Sequence, residues 1–297
     1  MEKSIIELYT FSLEELLNNS TLIEQVINDF LNYDRPEINK ISIWFIDKLN
    51  SDLLCKFASK NKKSSYLLQY IIKNTTRPYY DILCSYFHNN IIKLLYHKFG
   101  NFVIRVLIES MPIDFVQFLI NEINILYVAK NQKGCRIIIA FIIHGCNTND
   151  NFIILMNTIK DNCIDLVNSM YGKYIIIYLI KDDEHKQIFI QILFNNFEKL
   201  SISKNGCFVI KNLLEVLSDN SLITLLMNIQ SNNDMLNNLI SNRYGRLILK
   251  KILLTYKSVF IIYNLQKNII DLININYNQK YEHFNKCILQ YNNPYFK

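Results

Sequence analysis

Five of the six glycines in this 297-residue chain occupy one recurring position. Gly100, Gly134, Gly172, Gly206 and Gly245 each close a short polar turn and open an apolar run. The turns read His97-Lys-Phe-Gly100, Asn131-Gln-Lys-Gly134, Ser169-Met-Tyr-Gly172, Ser203-Lys-Asn-Gly206 and Asn242-Arg-Tyr-Gly245. Successive spacings are 34, 38, 34 and 39 residues. A period of this size belongs to solenoids, propellers and arrays, whose repeats bury a core only by stacking on their neighbours. The glycines themselves read as turn-shaping residues.

Counted from each glycine, positions three and four are aliphatic in every copy: Val103-Ile104, Ile137-Ile138, Ile175-Ile176, Val209-Ile210 and Ile248-Leu249. Positions seven and eight are apolar again, as in Leu107-Ile108, Phe141-Ile142, Leu179-Ile180, Leu213-Leu214 and Ile252-Leu253. This spacing is one face of an α-helix, so the repeats are helical rather than β-blades. An earlier copy carries serine in place of the glycine: Asn61-Lys-Lys-Ser64, with Leu67-Leu68 and Ile71-Ile72 on the core face.

Positions one and five lie one helical turn apart, with position two beside them on the outward surface. In the order one, two, five, the triplets are Ser65-Tyr66-Gln69, Asn101-Phe102-Arg105, Cys135-Arg136-Ile139, Lys173-Tyr174-Ile177, Cys207-Phe208-Lys211 and Arg246-Leu247-Lys250. A flat group, aromatic or guanidinium, stands at position two in five of the six. Flat side chains at every repeat, flanked by polar or basic ones, suit unstacked bases. The competing reading makes Phe102, Tyr174 and Phe208 inter-repeat core and the basic residues an ordinary solvated face.

With these residues in place the chain resembles the Pumilio (PUF) family of RNA-binding repeat proteins. His97-Lys-Phe-Gly-Asn-Phe-Val-Ile-Arg105 carries the resemblance most strongly. Cys135-Arg136 and Ser65-Tyr66-Leu-Leu-Gln69 are similar to family recognition helices as well. The resemblance implies an all-α, curved, right-handed α-solenoid that binds single-stranded RNA on its concave face. Position two then stacks between bases, and positions one and five touch base edges. Carried over residue by residue, it assigns Ser65, Gln69, Asn101, Arg105, Cys135 and Cys207 to base edges. It assigns Tyr66, Phe102, Arg136, Tyr174 and Phe208 to stacking, and Lys173, Lys211, Arg246 and Lys250 to backbone or mixed contacts. By the family's polarity the RNA runs antiparallel, its 3′ end near the N-terminal repeats. Ser65 with Gln69 resembles the family's adenine reader.

The family's fifth-position glutamine or glutamate survives only at Gln69. Ile139 and Ile177 cannot hydrogen-bond a base edge, and Lys211 and Lys250 are point charges suited to phosphate. Such a surface favours backbone binding with loose sequence preference. The expected role is cytoplasmic control of mRNA translation and decay. The alternative is a nucleolar Pumilio-like protein on pre-ribosomal RNA, and the reading from another class is an armadillo- or HEAT-like scaffold holding a peptide.

Residues 1–35, with Leu13, Leu16, Leu17, Ile23, Val26 and Ile27 at helical spacing, read as an N-terminal helical cap. Residues 36–297 read as the repeat array, one continuous domain. Asn39-Lys-Ile-Ser42, followed by Ile43-Trp44 and Asp47, looks like a degenerate copy. Tyr281 to Tyr291 reads as a last recognition-type helix, with Phe284 in the glycine's place.

Half of the residues are hydrophobic, and the net charge of +6 permits nucleic-acid binding without demanding it. The apolar runs are too short to span a bilayer, so no membrane partner is expected. Seven scattered cysteines without a Cys-x-x-Cys pair read as free thiols in a reducing compartment. No phosphate loop, zinc-hydrolase motif or acid pair appears, so neither enzyme activity, metal nor cofactor is expected. His97 stands where other copies have Asn or Ser, and reads as a helix cap. The partners expected are single-stranded RNA and a protein effector on the convex face, bound to a monomer.

Overall fold

In the computed structural model, residues 10–145 and 150–255 are described, together with 265, 267–271 and 284. Every regular element among them is a helix. The helices gather into two units, one ending at Asp161 and the other starting at Asn162.

A repeat consists of an outer helix, a middle helix and a face helix, the last carrying the triplet. In the first unit the face helices are Lys62–Asn74, Gly100–Ser110 and Gly134–His144, preceded by the middle helices Ser51–Ser59, Ile91–Tyr96 and Ile125–Ala129. In the second unit they are Lys173–Leu179, Lys204–Val216 and Arg243–Thr255, after Cys163–Asn168, Phe197–Ser201 and Asn233–Ser241. Each face helix packs on its own middle helix and on the neighbouring face helix of the same unit. The result is an all-α helical-repeat solenoid. In all six repeats the residues at positions three, four, seven and eight are buried. Each such side chain contributes about 1.5–3 kcal/mol of hydrophobic free energy, so the core runs along these rows.

The start of each face helix is secured the same way six times. The side chain three residues before the glycine position accepts the N–H at that position. Asn61 caps Ser64 at 2.9 Å, Ser169 caps Gly172 and Ser203 caps Gly206 at 3.1 Å, Asn131 caps Gly134 at 3.3 Å and Asn242 caps Gly245 at 3.4 Å. In the copy with histidine, His97 Nδ1 accepts from Gly100 N at 3.3 Å and from Phe99 N at 3.2 Å. An imidazole nitrogen can accept only when unprotonated. Burial, then the charges of Lys133, Lys98 and Lys93, holds the His97 pKa below its ordinary value.

The glycines have a different cause from the one the turns suggest. None has a positive φ, so no left-handed turn demands them. The middle helix demands them. A Cβ on Gly134 would stand 2.1 Å from the carbonyl oxygen of Val128, and one on Gly206 2.4 Å from that of Leu200. In all five repeats the obstructing residue lies six positions earlier, on the middle helix. The period therefore marks a close helix–helix approach.

The N-terminal region differs from the sequence expectation. Asp34 caps a helix from Arg35 to Lys48 with Pro36 in its first turn, so Asn39-Lys-Ile-Ser42 lies inside that helix and forms no turn. Ser20–Asn32 buries Ile23, Val26, Ile27 and Phe30 in the spacing of a face helix, and packs against Lys62–Asn74. Leu13–Asn18 packs beside the next middle helix, Ser51–Ser59. Leu13–Asn18 and Ser20–Asn32 thus stand as a middle and a face helix, and Arg35–Lys48 is the outer helix of the repeat that continues with Ser51–Ser59 and Lys62–Asn74. The expected helix from Tyr281 to Tyr291 lies outside the described residues, Phe284 excepted.

Candidate nucleic-acid interface

Position two points away from the core rows, and the structure leaves it in solvent. Tyr66, Phe102, Tyr174, Phe208 and Leu247 are each 43 to 45% exposed, and Arg136 is exposed too. These aromatics are therefore not core residues. In the first unit Tyr66 rests edge-on against Tyr70, centroids 5.0 Å apart, and Arg136 meets no carboxylate among the described residues. In the second unit Tyr174 and Phe208 approach to 6.1 Å.

Position one is less open than base reading asks. Ser65, Asn101, Cys135 and Cys207 are only 2 to 6% exposed, and their polar atoms already have partners. Ser65 Oγ donates to the Phe99 carbonyl at 3.3 Å. Cys207 Sγ faces the Tyr244 carbonyl at 3.6 Å. Lys173 Nζ donates to Asn205 Oδ1 at 2.9 Å. Phe99, Tyr244 and Asn205 each stand one residue before the glycine position of the next repeat. Position one in these repeats is thus a latch between neighbours. Asn101 turns inward instead, its amide donating to the carbonyls of His97 and Lys98 at 2.7 and 3.1 Å. Burial raises the thiol pKa of Cys135 against the nearby Arg136 charge, and that of Cys207 against Lys211. Both stay weak neutral donors.

At position five, Gln69 Nε2 donates to Ser65 Oγ at 3.2 Å, so positions one and five of this face helix are linked. The Gln69 side-chain carbonyl accepts no hydrogen bond among the described residues. Arg105 lies against Glu109, Nε to Oε1 2.5 Å, on the exposed surface. Such an exposed pair contributes about 0–1 kcal/mol, so a phosphate can displace the carboxylate. Arg246 folds back to donate to the carbonyls of Ile240 and Ser241 at 2.8 and 3.1 Å, closing the end of its middle helix. Its guanidinium is committed to the fold rather than held out as a free charge. Lys211 has no charge partner among the described residues. Ile139 and Ile177 are half-buried and offer a base edge nothing polar.

The N-terminal face helix, Ser20–Asn32, adds residues that glycine counting missed. With Ile23 in the glycine's place, Glu24, Gln25 and Asn28 take positions one, two and five and are exposed. Glu24 pairs with Lys63 at 2.5 Å, which also donates to Ser20. The only signal in the sequence was the apolar spacing, without the turn that marks the other copies.

No group of three or more metal-ligating side chains occurs among the described residues. No helix among them is long and apolar enough to cross a membrane. Cys55, Cys84, Cys135, Cys163 and Cys207 are free and buried.

Residues 90–123, 124–156 and 196–229 match the Pumilio-family RNA binding repeat. Each window opens on a middle helix, continues through a face helix and runs into the next outer helix. No curated protein matches the chain by sequence. Among solved structures, PUF-8 in complex with PBE-RNA matches with a TM-score of 0.73 at 15% identity, covering 94% of this chain and 84% of that one. A doubly mutated Puf4 bound to the Cox17 RNA 3′ UTR recognition sequence matches at 0.67 and 18% identity, over 92% and 98% of the two chains. The RNA-binding domain of yeast Puf5p bound to SMX2 RNA matches at 0.62 and 19%, over 97% and 96%. At these identities the likeness is one of fold.

Proposed function

We propose that this chain, which matches the Pumilio-family RNA binding repeat at three places along its length, is a member of that family and binds single-stranded RNA along its position-two side chains. The carrying observation is that five of six face helices hold a planar group in solvent at the same place, above a core that never uses it. A single exposed aromatic is ordinary, but planar groups recurring at one place on successive face helices mark a surface for binding. A base has the flat apolar face that fits.

The edge contacts argue for modest sequence reading. Gln69, its amide nitrogen held by Ser65, addresses one base edge through its side-chain carbonyl, with Tyr66 beside it to stack on the base. The Arg136 and Tyr174 repeats present Ile139 and Ile177, and contribute stacking and charge instead. Lys211 and Lys250 supply cations for the phosphates, which bind any sequence. Such a protein acts on mRNA translation and decay in the cytoplasm, with its outer helices open to an effector protein. A role on pre-ribosomal RNA is the second reading, favoured by the loss of edge-reading residues at position five.

Fluorescence anisotropy of the full chain with a random-sequence RNA 16-mer, the matching DNA and an acidic peptide tests the proposal. RNA should bind tightest, and unlabelled RNA should compete. Equal binding of peptide and RNA, or no RNA binding at low salt, would return the chain to the protein-scaffold reading. Crosslinking in cells then separates 3′ untranslated regions from pre-ribosomal RNA.

A further inference from the structure

We infer that Tyr174 and Phe208, closed on each other edge-on and bridged from one side by Lys173, keep a base out from between them, so that RNA crosses this step with its base turned away. The inference rests on the RNA-binding reading and concerns one step of the second unit. Lys173 Nζ lies 5.4 Å from the Tyr174 ring centroid and 5.2 Å from that of Phe208. One cation is therefore shared by the two rings that the family pattern would place on either side of a base. The rings stand at 76° to each other, centroids 6.1 Å apart. A base between two planes needs each about 3.5 Å away, hence parallel rings about 7 Å apart. As arranged, the pair leaves no such gap.

The lysine is held where it is. Its ammonium donates to Asn205 Oδ1 at 2.9 Å, and the Asn205 amide donates in turn to the Asn168 carbonyl at 2.6 Å. A base that forced its way in would have to displace the cation from two rings, reorient both rings and strip Asn205 Oδ1 of its donor. It would find Ile177 at position five, with no hydrogen bond to return. The Phe102 repeat supplies the contrast, since no ring or cation lies against Phe102 among the described residues. Lys98, on the turn before it, sits over Phe99 instead. Stacking there displaces nothing.

Two measurements on the full chain test this. The first starts without RNA: the Lys173 ε-methylene protons should be shifted upfield by the two rings, and should stay shifted when RNA is added to saturation. The second uses an RNA selected on the protein from a random pool, with an abasic nucleotide walked through it. In the wild type, one interior nucleotide should tolerate base removal with less than about threefold loss, while those at open stacking steps lose about tenfold or more. Lys173→Ala should make that same nucleotide sensitive, with the thermal midpoint unchanged. Asn205→Ala, which only frees the lysine, should move it part of the way. An unshifted Lys173 methylene, its return to an ordinary position on RNA binding, or a Lys173→Ala profile weakened equally at every nucleotide would each overturn the inference. A pool that yields no RNA would instead overturn the functional reading beneath it, whatever the Lys173 resonance shows.

Discussion

Gly134→Ala asks whether the glycine period marks flexible turns or close helix contact, because the two readings predict opposite signs. If the glycine merely begins a helix, alanine should stabilise the fold through better helix propensity and a less flexible unfolded chain, by about 0.4–1 kcal/mol. The structure says otherwise. The new Cβ would stand 2.1 Å from the Val128 carbonyl oxygen and 2.7 Å from Val128 Cγ1. Ordinary contact is about 3.5 Å, so the face and middle helices must separate by about 1 Å. Overpacking of this kind costs about 1–3 kcal/mol, and the offset from propensity leaves a net loss of about 1–2 kcal/mol. For a chain of this size that lowers the midpoint by about 2–3 °C, read by circular dichroism at 222 nm. Gly172→Ala is the internal control. Its nearest atom is Leu166 Cδ2 at 2.9 Å, the free end of a side chain, with the carbonyl oxygen at 3.0 Å. That variant should be close to neutral. A midpoint raised by Gly134→Ala, or an equal loss at both sites, would refute the close-approach argument.

Phe102→Ala should cost about 1–3 kcal/mol of RNA binding while leaving the melting midpoint nearly unchanged; lost stability with intact binding would make Phe102 a packing residue after all. Lys211→Ala with Lys250→Ala should weaken all RNAs alike and flatten the slope of log K against log salt by about 0.7 per lost phosphate contact, and an unchanged slope would remove both from the interface. Ser65→Asn should move selection at one nucleotide near the RNA's 3′ end from adenine toward uracil; no enriched base there in either protein would leave only backbone and shape reading. His97 caps as neutral imidazole with its pKa held down, so the unfolded chain takes up the proton first. Stability should therefore fall as pH drops below the ordinary imidazole value of about 6.5. His97→Asn, a cap like Asn131 with nothing to titrate, should remove that part of the pH dependence seen in urea unfolding, and an unaltered profile would count against the cap.

Much of this was legible from periodicity, because a helix turns every residue through the same angle whatever surrounds it. The burial of Val103, Ile104, Leu107 and their counterparts, and the exposure of Tyr66, Phe102, Tyr174 and Phe208, follow from position on one helix. His97 as a cap follows from its place three residues before the helix start. Matters that depend on the neighbouring helix were not legible. Whether Ser65 or Cys207 is free for a base depends on a carbonyl in the next repeat's turn, more than thirty residues away. The reason for Gly134 lies in the backbone of Val128, which carries no sequence signature of its own. Asn39-Lys-Ile-Ser42 resembled a turn by composition, yet Asp34 and Pro36 had already started a helix through it. Ser20–Asn32 took a face-helix position without glycine, because packing asks only that Ile23, Val26, Ile27 and Phe30 meet the next repeat. Local spacing determines which side of a helix is wet. Which of those wet side chains keep a hand free for RNA was decided by contacts between repeats, since a hydrogen bond already made to a neighbour is one that a base must break.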